Sequence, residues 1–176
     1  MNATALLEDQ HRVIEALIAQ LESFSGHPAA ILRELANNLG AHMAIEQDLF
    51  YPAIRSVDEE LVNESYEEHA LVELALKRLM MTDPGEPTFK ARVTAFKELL
   101  AHHVMEEEEQ LFPQVEEAIS EELLQSIGKT MKTRFREAYE TGFEAMTPKG
   151  ISKTSADIAQ KALAKRSAKK DKLITA

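Results

Sequence analysis

His42-Met-Ala-Ile-Glu46-Gln-Asp-Leu-Phe-Tyr-Pro52 returns later in the chain as His103-Val-Met-Glu-Glu107-Glu-Glu-Gln-Leu-Phe-Pro113. In each copy a histidine precedes a glutamate by four residues, and a proline follows the glutamate by six. Residues in a helix advance by about 100°, so positions four apart differ by only about 40° around the axis. Ile31, Leu35, Leu39, His42, Glu46 and Leu49 therefore share one arc, and Phe89, Val93, Phe96, Leu100, His103, Glu107 and Leu111 share another. Each repeat places an imidazole and a carboxylate on an apolar face.

Outward from the repeats, six glycines, six prolines and abundant Leu, Ala, Glu and Lys, without alternating β-branched runs, predict an all-α chain. Breakers divide it. Ser25-Gly26-His27-Pro28 ends a first helix over about residues 3–24, and Pro28 suits the first turn of a second that runs to about 55. Ser56-Val57-Asp58 starts a third helix, to about 82. Asp83-Pro84-Gly85-Glu86-Pro87 turns the chain into a fourth, over about 88–118. Ser120 caps a fifth element to about 146, which Thr147-Pro148-Lys149-Gly150 stops. The expected architecture is an antiparallel up-down-up-down four-helix bundle with an additional C-terminal helix, over residues 1–147. Beyond it a basic, mobile tail is expected over 148–176, partly helical from Ala156 to Lys170, because Ile158, Leu163 and Leu173 are too sparse for a core face.

Two further histidines belong with the repeats. His11 shares an arc with Leu7, Ile14 and Ile18, and His69 shares one with Tyr66, Val72 and Leu76, so each long helix carries one inward histidine. Counted from the turns, His11, His42, His69 and His103 lie at nearly equal distances along their helices, and at about 1.5 Å per residue they reach one level of an antiparallel bundle. Core packing does not require that coincidence. An unpaired buried carboxylate costs several kcal/mol, so four imidazoles and two carboxylates among leucines call for bound positive charge. A pair of metal ions supplies it, with Glu46 and Glu107 able to bridge them and two histidines completing each. Imidazole and carboxylate suit iron, manganese or zinc alike.

Glu15 and Glu73 follow His11 and His69 by four residues and read as acceptors for imidazole N–H groups or as edge residues, with extra metal ligands as the alternative. His102 offers a second register with Glu106, but it points about 100° away from the apolar stripe. His27 falls in a turn. Tyr51 and Phe112, at matching repeat positions, read as packing residues, and the run Glu106 to Glu109 as a solvated face apart from Glu107.

The chain has no cysteine, so disulfides, thiolate zinc sites and iron–sulfur ligation are excluded, and any metal is held by nitrogen and oxygen. No stretch approaches the roughly 20 apolar residues of a membrane span, and the acidic, periodic N-terminus does not read as a targeting signal, so a cytoplasmic protein is expected. Of the formal net charge of −10, the last 28 residues hold about +6 and the body about −16. Such a body repels nucleic acid and anionic membranes, leaving only the basic tail to touch them. A glycine-rich phosphate loop, a His-Glu-x-x-His helix and a Gly-x-Ser-x-Gly elbow are absent, and Glu-x-x-His occurs once, as Glu8 and His11, where a ferritin-like di-iron enzyme needs two.

Over roughly residues 1–146 the chain resembles the hemerythrin-like, or HHE cation-binding, domain family. The resemblance rests on the two His-x-x-x-Glu repeats, ending in Leu-Phe-Tyr-Pro and Leu-Phe-Pro, and on the isolated His11 and His69. It implies a four-helix bundle around a non-haem di-iron centre: two iron ions held by His11, His42, His69 and His103, with Glu46 and Glu107 bridging. Oxygen-carrying hemerythrins have a further histidine where this chain has Glu73, and the iron-centre repair proteins of the family usually add a cysteine-bearing N-terminal segment absent here. The four-histidine, two-glutamate set is closer to the branch linked to nitric oxide and stress. The implied function is binding of oxygen, nitric oxide or peroxide at an open coordination site, for sensing, storage or stress protection. A non-redox iron-binding or regulatory module, and a di-iron peroxidase or nitric oxide reductase, are the alternatives. Whether the chain is an enzyme, and what protein partner it has, stay open at the level of sequence.

Overall fold

The computed structural model describes residues 1–23, 26–149 and 153–174, with side chains through residue 166. The expected stops at Ser25 and Gly150, the Ile151 start of the compositional shift, and the Leu173 side chain lie outside the described residues. Among the described residues every regular element is helical.

α1 (Ala3–Glu22) begins where the Asn2 side chain accepts from the Ala5 N–H at 3.0 Å. α2 (Pro28–Ile45) runs without a break through a π-helical turn, Glu46–Phe50, into α3 (Tyr51–Ile54). α4 (Glu59–Met80) is capped by Asp58, which accepts from the Leu61 N–H. α5 (Pro87–Glu106) passes through a second π-helical turn, Glu107–Leu111, into α6 (Phe112–Ala118). α7 (Glu121–Thr141) is capped by Ser120, α8 (Phe143–Met146) is one turn, and α9 (Ser155–Ile174) ends the chain.

The two π turns are the structural meaning of the repeat's proline. A proline inside an α-helix offers no N–H and crowds the carbonyl four residues back. Here the Tyr51 N–H reaches the Glu46 carbonyl and the Phe112 N–H the Glu107 carbonyl, each five residues back. Pro52 and Pro113 then fall in the first turn of the following helix, where a missing N–H costs nothing. The extra residue also rotates the side chains beyond it around the helix axis. Leu49, expected inward, is only half-buried, while Phe50, Tyr51 and Ile54 are fully buried.

The apolar core divides in two. One half gathers Ile14, Leu35, Leu39, Leu76, Phe89 and Phe96; the other gathers Leu7, Phe50, Ile54, Tyr66, Phe112 and Met131. The buried histidines lie on the four long helices α1, α2, α4 and α5, and Glu46 and Glu107 lie in the π-helical turns that continue α2 and α5. α7 packs on α1 and α2. Gly128 permits that approach, because a Cβ there would stand 2.9 Å from the Asn2 carbonyl carbon, and Gly142, at φ +83°, makes the reversal into α8.

The C-terminal helix expected in part over Ala156 to Lys170 is present as α9. Its start is fastened: the Thr154 N–H and hydroxyl donate to Asp157, Ser155 donates from its N–H and hydroxyl to Glu73, and Ala156 is buried. Two well-satisfied caps do what the sparse apolar residues could not. Ile158 remains exposed, and Leu163 is partly covered.

Candidate metal centre

The structure brings His11, His42, Glu46, His69, His103 and Glu107 together in one layer, each at most 1 % exposed. Each comes from a different turn of the four long helices, and the i, i+4 spacing puts the His and Glu of each repeat side by side. His11 Nε2 and His42 Nε2 are 3.2 Å apart, and His69 Nε2 and His103 Nε2 are 3.0 Å apart, forming two imidazole pairs. Glu46 Oε2 lies 3.2 Å from His42 Nε2 and 3.3 Å from His69 Nε2. Glu107 Oε2 lies 3.3 Å from His11 Nε2 and 3.6 Å from His103 Nε2. Each carboxylate thus reaches from one pair to the other.

The outer imidazole nitrogens are held by a second set of side chains. His11 Nδ1 donates to Glu108 at 2.7 Å, His42 Nδ1 to the Gln10 carbonyl at 2.9 Å, and His103 Nδ1 to Glu68 at 2.8 Å. His69 differs: the Gln47 amide N–H donates to its Nδ1 at 3.0 Å, which leaves the ring proton on Nε2, facing the His103 Nε2 lone pair. In the other pair both Nδ1 atoms face oxygen, and His11 Nε2 and His42 Nε2 converge at 3.2 Å. Two inward nitrogens at that distance share a proton or a cation.

The carboxylates state the same need. Among the described residues Glu46 Oε1, Glu46 Oε2 and Glu107 Oε2 are buried without a hydrogen bond, although imidazole nitrogens stand 3.2–3.6 Å from two of them. Two donors at right angles on an ion with bonds of about 2.1 Å stand about 3.0 Å apart, so the spacing of each imidazole pair suits a shared metal. The donor set fits two cations.

The electrostatics are those of a site built for charge. Burial pushes the Glu46 carboxyl well above the ordinary range, and facing Glu107 adds to it. Glu107 is itself penalised by burial, but His103 and His11 outweigh that and hold it well below the ordinary range. Burial, with the neighbouring imidazole, lowers His42 and His69 well below the ordinary histidine value, keeping both neutral as ligands must be. For His103 burial is outweighed by Glu107 and Glu68, which raise it.

Several residues read differently in sequence and in structure. Tyr51 packs against Phe50 and Tyr66, and its hydroxyl also donates to Glu107 Oε1 at 2.7 Å and lies 3.2 Å from His69 Nε2. Phe112, its counterpart, stacks on His11. Glu15 is an edge residue paired with Arg12. Glu73 is buried but faces Lys77 and Ser155 rather than an imidazole. Glu108, read as solvated, holds His11 and Arg12. Gln10, Gln47 and Glu68 carried no sequence argument, yet each sits beside a histidine or glutamate of the set. The repeat held the signal: the residue after each glutamate, Gln47 or Glu108, is a hydrogen-bond partner of a histidine, and the residue before each lone histidine is Gln10 or Glu68.

The family model described as the hemerythrin HHE cation binding domain matches residues 2–115. The chain is 28% identical over 126 residues to a DNA nickase of Nostoc sp. (strain PCC 7120), a match covering 69% of this chain and 36% of that protein, so it spans about a third of the relative's length. It is 25% identical over 154 residues to an uncharacterised protein of Mycobacterium tuberculosis, covering 85% of this chain and 95% of that one. A crystal structure of a hemerythrin HHE cation-binding domain-containing protein from Mycobacterium kansasii superposes with a TM-score of 0.72 at 28% identity, over 80% of this chain and 89% of that one.

Proposed function

Because the chain belongs to the hemerythrin HHE cation-binding domain family, we propose that its long helices form an antiparallel up-down-up-down bundle around two iron ions. In this reading His11 and His42 serve one ion, His69 and His103 the other, and Glu46 and Glu107 bridge them. When bound, the metal pair supplies a redox-active site with an open position for oxygen, nitric oxide or peroxide, in sensing, storage or stress protection.

The single observation that carries this reading is the convergence of His11 Nε2 and His42 Nε2 at 3.2 Å beside three buried carboxylate oxygens that lack a hydrogen bond among the described residues. The chain's own residues then divide the remaining work. Gln10, Glu68 and Glu108 fix imidazoles by accepting from Nδ1, which turns the Nε2 atoms inward. Gln47 must present its carbonyl instead of its N–H for His69 to do the same. Tyr51 holds one oxygen of Glu107 and leaves the other free. Phe50, Phe112 and Tyr66 keep one side of the layer dry. Glu73 adds no further donor, since Lys77 and Ser155 take both of its oxygens, and this separates the centre from that of an oxygen carrier.

Among the described residues no helix is long and apolar enough to cross a membrane. Nicking of DNA does not transfer from the Nostoc relative, since the match covers 36% of it and the body of this chain is strongly acidic. Absorption spectroscopy of aerobically purified protein tests the proposal. It is supported by charge-transfer bands that change on adding azide or nitric oxide, and a spectroscopically silent divalent metal would sink it. Peroxide or nitric oxide turnover above free-iron controls would move the function from binding to catalysis.

A further inference from the structure

A second group of metal-ligating side chains lies outside the buried layer. Glu68 on α4 and His102 and Glu106 on α5 bring one ligand atom each within 4.8 Å of one another. His102 Nε2 stands 3.6 Å from Glu68 Oε1 and 3.6 Å from Glu106 Oε1. That is too long for a hydrogen bond and close to the roughly 3.4 Å that separates two donors on one tetrahedral ion with bonds of about 2.1 Å. The His102 side chain is 53% exposed and Glu106 19%, whereas Glu68 is nine-tenths buried and directs Oε1 toward this outer group.

The two carboxylates crowd each other. Burial, Glu68 and then Glu64, one turn earlier on α4, raise the Glu106 carboxyl, and His102 is the one group opposing them. Glu68 is shared: its Oε2 accepts from His103 Nδ1 at 2.8 Å while its Oε1 faces outward. The residues repeat the chemistry of the buried layer one position earlier, since His102 and Glu106 are also four apart on one helix.

We propose that Glu68, His102 and Glu106 form an outer site for a single divalent transition-metal ion, with water completing its coordination. One imidazole with two carboxylates selects the manganese, iron or zinc class over magnesium or calcium, which prefer oxygen alone. Water access makes it an exchangeable site. Through Glu68 an ion there also draws charge from the acceptor that positions His103, so the outer site and the buried layer share a residue.

Zinc titration of the full-length chain, followed by NMR of the histidine ring nitrogens, reads His102 separately from the four buried imidazoles. The His102 resonances are expected to shift and saturate at one equivalent beyond those that saturate the buried set. Glu106→Gln should weaken the His102 response at least tenfold and leave the buried histidines as in the unsubstituted chain. His102 signals that do not move, or that move equally in Glu106→Gln, overturn the outer site. Movement of His102 without movement of His11, His42, His69 and His103 upholds it and refutes the buried centre, so the two readings fail separately.

Discussion

Glu46 shows how a residue can oppose the fold that holds it. Both its oxygens are buried without a hydrogen bond among the described residues, and burial with facing Glu107 raises its pKa. In the unfolded chain a glutamate ionises near about 4.3. Above that pH the folded, metal-free protein binds more protons at Glu46 than the unfolded chain does, so its stability falls as pH rises. Glu46→Gln removes that penalty. At neutral pH the metal-free variant should be more stable by about 1–3 kcal/mol, visible as a higher melting temperature, while its metal content drops. A variant destabilised when metal-free would contradict this account. Tyr51 acts oppositely: Tyr51→Phe keeps the ring packing and removes the donor to Glu107, costing about 1.5–3 kcal/mol in thermal or denaturant unfolding.

The six candidate ligands stood out in the sequence because imidazole and carboxylate on an apolar helix face leave few structural roles. Their supports did not. Gln10, Gln47, Glu68 and Glu108 lie beside the ligands in sequence, about 100° around the helix, where a polar residue ordinarily reads as solvated surface. Only the neighbouring helix makes them interior, and helix adjacency is not written in a single helix's periodicity.

At the scale of elements, the four histidine-bearing helices and α7, with caps at Asp58 and Ser120, followed from breakers and capping residues. The π turns did not, although Pro52 and Pro113 marked both places, because a proline within an apolar pattern signals a helix end as readily as an added residue. The helix of α9 was legible over Ala156 to Lys170, but its anchor was not. Its anchoring depends on Glu73, a partner 82 residues away. Glu73→Ala leaves the Ser155 donors and Lys77 without that carboxylate. Faster amide exchange through α9 is expected, at about 1–3 kcal/mol of lost local stability, with metal content unchanged. Loss of metal in this variant would mean that Glu73 contributes to the centre.

For the whole molecule, two apolar halves on shared helices surround a polar layer, and basic α9 rests against an acidic body through α4 and the first π turn. Removing residues 151–176 uncovers Gln47 and Glu73 but none of the six ligand candidates, so the truncated protein should melt several degrees lower and still hold its metal. The central claim is that one layer of six side chains binds two ions, and metal content per chain tests it most directly. Two ions per chain are expected in the unsubstituted protein, one or fewer in Glu46→Ala and Glu107→Ala, and two in Glu15→Ala and Glu73→Ala. Equal metal content in all four variants would contradict it.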